Sequence, residues 1–198
     1  MNVAVCCPGP SPVGERVRAA LEPLRVAHTL TLFGPGEHPL GELSPRDHER
    51  LLVPIDDDPA CAPFVPLLRE VGGTVWLHAW SLRTLAQSHR PALVTAGLAG
   101  KIARWREGGL GALRGEASPL NHSVVRFGDA FVVHEEETRK AILVERNAPT
   151  PTSLIEGDHQ LAEALEALPP HRSNRKSVIA NAIEASDRAR EARRAGTD

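Results

Sequence analysis

The sequence predicts an α/β fold: a Rossmann-like three-layer domain with a parallel sheet of about six strands and helices on both faces. Short apolar runs alternate with segments whose apolar residues recur at helical spacing. This alternation predicts parallel strands joined by right-handed crossovers. The runs are apolar at successive positions, which is typical of strands covered on both faces. Hydrophobic residues make up 41% of the 198 positions, enough for the core of one large domain.

Six short runs predict the strands, because each is apolar and ends in turn-forming residues. They are Val3–Cys7, Thr29–Phe33, Leu51–Ile55, Thr74–Leu77, Ala130–Val133 and Thr152–Ile155. The intervening segments predict helices, which lie at Val13–Leu24, Phe64–Val71, 82–106, Pro119–Arg126, Thr138–Arg146 and Leu161–Leu168.

Pro169-Pro170 predicts a boundary between a domain at 1–168 and a C-terminal helical tail at 169–198. Within this tail, Ser173–Arg194 reads as a helix with a narrow apolar stripe and a charged remainder. We expect Ser177–Ala185 to dock on the domain or on a partner, because burying the stripe removes apolar surface from water.

Composition excludes several classes of protein. The formal net charge of -2 gives no general attraction to nucleic acid or membranes, so no nucleic-acid partner is expected. No stretch is long and apolar enough to be an integral membrane segment. The N-terminus lacks the basic leader of a signal peptide, so we expect a cytoplasmic protein. Cys6, Cys7 and Cys61 show neither disulfide nor zinc spacing and are expected to be free thiols.

The loop Pro8–Gly14 follows the first strand, and in open α/β sheets ligands bind beyond the carboxyl ends of strands. Glycine there allows the backbone to approach a ligand, and the next helix N-terminus favours anions. The loop lacks the G-x-G-x-x-G spacing of nicotinamide-binding proteins. An ordinary turn between strand and helix explains it equally well.

His78 and His134 follow the fourth and fifth strands, so both are candidates at the ligand-binding edge. Histidine exchanges protons near neutral pH, although hydrogen bonding to a neighbouring loop is an equal alternative for His78. For Glu135–Glu137, stabilisation of the next helix N-terminus is the stronger interpretation. For Asp56–Asp58 a solvated turn is favoured over a metal site, because three consecutive carboxylates cannot easily face one ion.

Several segments, in order, resemble the N-terminal, acceptor-side domain of family 4 glycosyltransferases of the GT-B fold. The family's "heVtLF" strand resembles His28–Phe33, and its "GvvvLHD" strand resembles Gly73–Leu82. The most specific match is to "pLNrsvv", "ada.vvHSe" and "aptp", which resemble Pro119–Val125, Asp129–Glu136 and Ala148–Pro151. The resemblance covers roughly 2–158.

This resemblance implies retaining sugar transfer from a nucleotide-sugar, without a cofactor or a required metal. His78 would be the catalytic residue that orients the acceptor or stabilises charge at the transferred sugar. Gly9, Ser11 and Gly14 would approach the donor phosphates, and Trp80, His134 and Glu135 would line the cleft. The family's donor domain follows this region, so we expect a partner chain to supply it, or a homo-oligomer, and little activity from the chain alone.

Three parts of the chain depart from the family pattern, and one of them is Asp57–Cys61, which stands where the family has an Asn/His-containing turn. Ala79 stands in place of the aspartate of "LHD", and Glu135 in place of the serine of "HSe". These replacements favour the alternative that the chain is a non-catalytic descendant, which binds a sugar, a nucleotide or a protein. The retained His78 and His134 favour the enzyme half.

Overall fold

The computed structural model describes residues 1–90, Leu93, 97–113 and 119–170. Within them lies a single parallel sheet of six strands, as the sequence predicts. The strands are β1 (Asn2–Cys6), β2 (Thr29–Phe33), β3 (Arg50–Ile55), β4 (Thr74–Leu77), β5 (Ala130–Val133) and β6 (Thr152–Leu154). Their order across the sheet is β2-β1-β3-β4-β5-β6, and every neighbouring pair is parallel.

The α-helices in the described part of the chain are α1 (Pro12–Ala27), α2 (Phe64–Val71), α3 (Arg83–His89), α4 (Gly97–Leu113), α5 (His122–Phe127), α6 (Glu136–Arg146) and α7 (Leu161–Ala167). Helix α1 contacts α7, whereas α2, α5 and α6 contact one another in series. The chain crosses from β1 to β2 in one direction and from β3 to β4 in the other. Because crossovers keep one hand, these two sets of helices lie on opposite faces of the sheet.

The core lies on both faces of the sheet. Strands β3, β4 and β5 are buried along their whole length, and Trp76, Phe64 and Phe131 are the largest fully buried side chains. The core extends to Leu168, at the end of the predicted domain. Arg50 is also buried, and it donates hydrogen bonds to the carbonyl oxygens of Glu166, in the last turn of α7, and of Pro169, just beyond that helix. These bonds tie the last described helix to the start of β3.

Two of the predicted helices differ most from the structure. The segment 82–106 was expected to be mainly helical, and the structure divides it between α3 and α4. Helix α5 begins at His122 instead of Pro119, because Leu120 has a φ of 55° and Asn121 a non-helical ψ of 3° at φ -110°. A positive φ is incompatible with a right-handed helix.

The helix predicted for Ser173–Arg194, and with it the docking of Ser177–Ala185, lies outside the described residues. No helix in the described ranges is long and apolar enough to cross a membrane.

Candidate functional site

The order of strands locates the ligand-binding edge of the sheet. Strand β1 lies between β2 and β3, so the chain leaves β1 towards one side and then builds the rest of the sheet on the other. In doubly wound sheets the crevice for ligands opens at the carboxyl ends of the two strands where this reversal occurs. Here the loops after β1 and β3 flank it. Arg16 of α1 donates a 2.5 Å charged hydrogen bond to Asp56, which follows β3.

Beside this crevice, His78 and His134 lie together. Leu77 pairs with Val133 in the register of β4 and β5, so each histidine follows its strand at an equivalent position. The two rings stack with centroids 5.4 Å apart and planes 26° from parallel. Trp76 lies 4.3 Å from the His78 ring, centroid to centroid, and Asp158 Oδ1 lies 3.6 Å from His134 Nε2. We call Trp76, His78, His134 and Asp158 the histidine cluster.

His78 is held in its neutral form. Burial lowers the pKa of His78 to about 4 and is the largest cause of the shift. The nearby positive charge of Arg16 and the neighbouring His134 lower this pKa further, whereas Asp56 and Asp158 raise it. Its Nε2 is buried and has no hydrogen-bond partner. A buried polar atom without a partner costs free energy, and such atoms in native proteins are explained by water, strain or function. At neutral pH the His78 ring therefore offers hydrogen-bonding capacity without positive charge.

The tautomer of His134 follows from its hydrogen bond to Trp76. The indole Nε1–H donates to His134 Nε2 over 3.2 Å. Because an indole only donates, Nε2 must accept, so the neutral imidazole carries its proton on Nδ1. This hydrogen bond also fixes the orientation of the His134 ring, so the position of His134 depends on Trp76, a fully buried core residue.

The loop after β1 is held by its own packing. Ser11 is the N-cap of α1, and its hydroxyl accepts a hydrogen bond from the Gly14 N–H over 3.0 Å. A Cβ on Gly14 would lie 1.9 Å from the carbonyl oxygen of Pro8, and one on Gly9 would lie 2.9 Å from Pro35. Both glycines therefore allow close packing of loop and helix.

Trp80 and Glu135 lie at the same edge of the sheet. Trp80 packs against the core, and its carbonyl oxygen accepts a hydrogen bond from the buried Asn121 Nδ2 over 2.8 Å. Glu135 is the exposed N-cap of α6, and its carboxylate accepts a 3.3 Å hydrogen bond from the Thr138 hydroxyl. The Glu135 side chain makes no capping hydrogen bond to a backbone N–H, and Glu136 and Glu137 lie in the first turn of α6, where negative charge suits the helix dipole.

The three consecutive aspartates point to three different partners. Asp56 pairs with Arg16, Asp57 accepts from Leu85 N–H at the start of α3, and Asp58 accepts from Ala60 N–H. They lie in a turn before Pro59, as expected, but they are half-buried and hydrogen-bonded and not fully solvated. Among the described residues no group of three His, Cys, Asp or Glu side chains is arranged to hold a metal ion.

Sequence reasoning did not single out Trp76 or Arg16 for this site, whereas Asp56 follows the third strand and lies at a strand exit where ligands were expected. Asp158 follows the sixth strand, and that position was its signal. Arg16 is in a helix, where the sequence offers no comparable sign. The three cysteines are buried and free, and burial raises the pKa of Cys61 to about 12, so its thiol is a poor nucleophile at neutral pH.

The fold and the cluster define the class of protein: an open, doubly wound α/β domain with paired histidines at the carboxyl edge of its sheet. Comparison of the chain with protein-family models, curated proteins and solved structures found no match.

Proposed function

We propose that the chain is the acceptor-side half of a retaining glycosyltransferase and binds its sugar ligand at the histidine cluster. The observation that carries this proposal concerns His78, which lies beside the crevice at the carboxyl ends of β1 and β3. Its ring is neutral, and its buried Nε2 has no hydrogen-bond partner. A sugar presents hydroxyl groups, which both donate and accept hydrogen bonds. A neutral imidazole can satisfy either need, and a cationic one can only donate.

In this proposal His78 orients the acceptor and stabilises the transferred sugar through hydrogen bonding. Its low pKa argues against a permanent positive charge at neutral pH. His134 acts as a positioning residue, because it stacks on His78 and is itself held by Trp76. A ligand reaching the buried His78 Nε2 has to displace a neighbouring group, which suits a site completed by closure of a second domain. That second domain supplies the nucleotide-sugar.

The loop Pro8–Gly14 contributes less to donor binding than the resemblance implies. Three of its residues are prolines and have no N–H, and the Gly14 N–H is bound to Ser11. A phosphate cradle needs several free amides, and this loop retains few. The donor phosphates are therefore assigned mainly to the second domain.

The experiment is a calorimetric and thermal-shift panel of nucleotide-sugars and simple glycosides on the full chain. A ligand at 100 times its dissociation constant should stabilise the protein by about 2.7 kcal/mol. The variant His78→Gln should lose this shift, whereas His38→Gln, an exposed histidine away from the cluster, should retain it. If no sugar ligand binds, or if both variants bind as well as the parent, the proposal is wrong.

The second candidate is a non-catalytic descendant of the same domain that binds a sugar, nucleotide or protein. It is favoured by Ala79, which packs against the core where the family has a carboxylate. Sugar binding that depends on His78, without product formation when donor domains are added, would select this candidate. Product detected by mass spectrometry only after a donor domain is added would select the enzyme half.

A further inference from the structure

A concavity in the described part of the chain lies away from the histidine cluster. It is a cavity of about 940 Å³ between α2, α3, α4 and α5, and neither His78 nor His134 lines it. Its volume is in the range of small-molecule sites. The residues around it were not candidates from the sequence.

The walls of this cavity are cationic. Four arginines line it, one from each of the four helices or their ends: Arg69, Arg90, Arg106 and Arg126. No carboxylate is among the described lining residues. The buried Glu107 behind the wall is already bound by Arg90 over 2.8 Å and by the Ser123 hydroxyl over 2.7 Å. It therefore neutralises part of the Arg90 guanidinium, while Arg106 and Arg126 add positive charge to the cavity wall.

Aromatic surface lies beside these charges. Trp105 is 52% exposed at the cavity wall, although large aromatic side chains are usually buried. Phe127 also lines the cavity, with the Arg126 guanidinium 5.7 Å from the centre of its ring. An anionic ligand with an apolar or aromatic body would find both contacts here.

A second, independent sign of a ligand is His89. Its side chain is 10% exposed, lines the cavity, and has no hydrogen-bond partner on either ring nitrogen. Its Nε2 is 3.6 Å from Glu107, too long for a hydrogen bond. Burial lowers the pKa of His89, so the neutral ring has one donor and one acceptor to offer.

We propose that this arginine pocket binds a small molecule that carries a phosphate group on an aromatic or apolar body. The arginines bind the phosphate, Trp105 and Phe127 contact the body, and His89 completes the polar contacts. An acidic protein segment is disfavoured as occupant, because part of the polar surface is the recessed His89. This site is separate from the proposed sugar site, and either can fail without the other.

The test uses the full chain with phenyl phosphate as the probe, and with inorganic phosphate, phenol and benzoate as matched comparisons. Isothermal titration calorimetry should show one site, with phenyl phosphate binding at least tenfold more tightly than inorganic phosphate or phenol. Benzoate binding equal to phenyl phosphate would replace phosphate by carboxylate and overturn the proposal as stated. Binding of an acidic peptide, without binding of phenyl phosphate, would overturn it in favour of a protein partner.

Variants locate the site. Arg106→Gln and Arg126→Gln change exposed side chains and should leave the melting temperature unchanged while weakening phenyl phosphate binding at least tenfold, or about 1.4 kcal/mol. Trp105→Ala should weaken phenyl phosphate more than inorganic phosphate. Arg25→Gln removes an exposed arginine from α1, on the opposite face, and should bind as the parent does. Equal loss in the Arg25 variant would reduce the effect to net charge and refute the site.

Discussion

Replacement of His78 by glutamine should make the protein less sensitive to acid. In the folded protein the pKa of His78 is about 4, whereas the ordinary value is 6.5. Between these values the unfolded chain binds a proton at this position and the folded chain does not. Stability therefore rises with pH across this window, and it is lost as the pH falls from about 6.5 towards 4.

The magnitude follows from the two pKa values. At pH 5 the protonation of His78 in the unfolded state lowers the free energy of unfolding by about 2 kcal/mol relative to pH 7. The full effect, well below both values, is about 3 kcal/mol. Glutamine keeps a polar side chain but does not titrate, so the variant should lack this component.

The assay is denaturant unfolding at pH 7 and pH 5 for the parent, His78→Gln and His38→Gln. The other histidines contribute equally to parent and variant and cancel in the comparison. We expect the parent and the His38 variant to lose about 2 kcal/mol more than the His78 variant between the two pH values. If all three proteins lose the same stability, the neutral, desolvated His78 is refuted, and with it the main support for the sugar site.

Three further predictions concern packing and charge. Gly14→Ala should destabilise the fold by about 3 kcal/mol, because the added Cβ would lie 1.9 and 2.1 Å from two carbonyl oxygens. As the control, Gly41→Ala places its Cβ in open space and should leave the midpoint of denaturation unchanged. Arg146→Ala should lower the free energy of unfolding by about 2 kcal/mol, because the Arg146 guanidinium donates hydrogen bonds to three carbonyl oxygens at the end of α5. An unchanged melting curve would contradict this expectation. The hydrogen bond to Glu145 raises the pKa of His122, so its stabilisation is present below the ordinary value and lost at higher pH. Glu145→Gln should therefore destabilise the protein at pH 5.5 and have little effect at pH 9, as measured by urea unfolding.

The sequence was sufficient for the fold class and for much of the edge of the sheet. Apolar runs bounded by Gly, Pro and Asp identify the strands, because these patterns are local and depend on turn chemistry and periodicity. The same reasoning places His78 and His134 after consecutive strands of the sheet. It also predicts that the chain around Pro8–Gly14 forms a turn into a helix, and the structure agrees.

What each of these residues can do was decided by tertiary structure. His78 and His134 are separated by 56 positions, and they stack only because β4 and β5 pair in register. The low pKa of His78 comes from burial and from Arg16 on a helix of another crossover. The arginine pocket likewise assembles from four helices that share no sequence pattern. Local periodicity in the sequence specifies helices and strands. The distances between side chains, their burial and the electrostatic field around them depend on residues far apart in the chain, and these quantities determine the chemistry of a site.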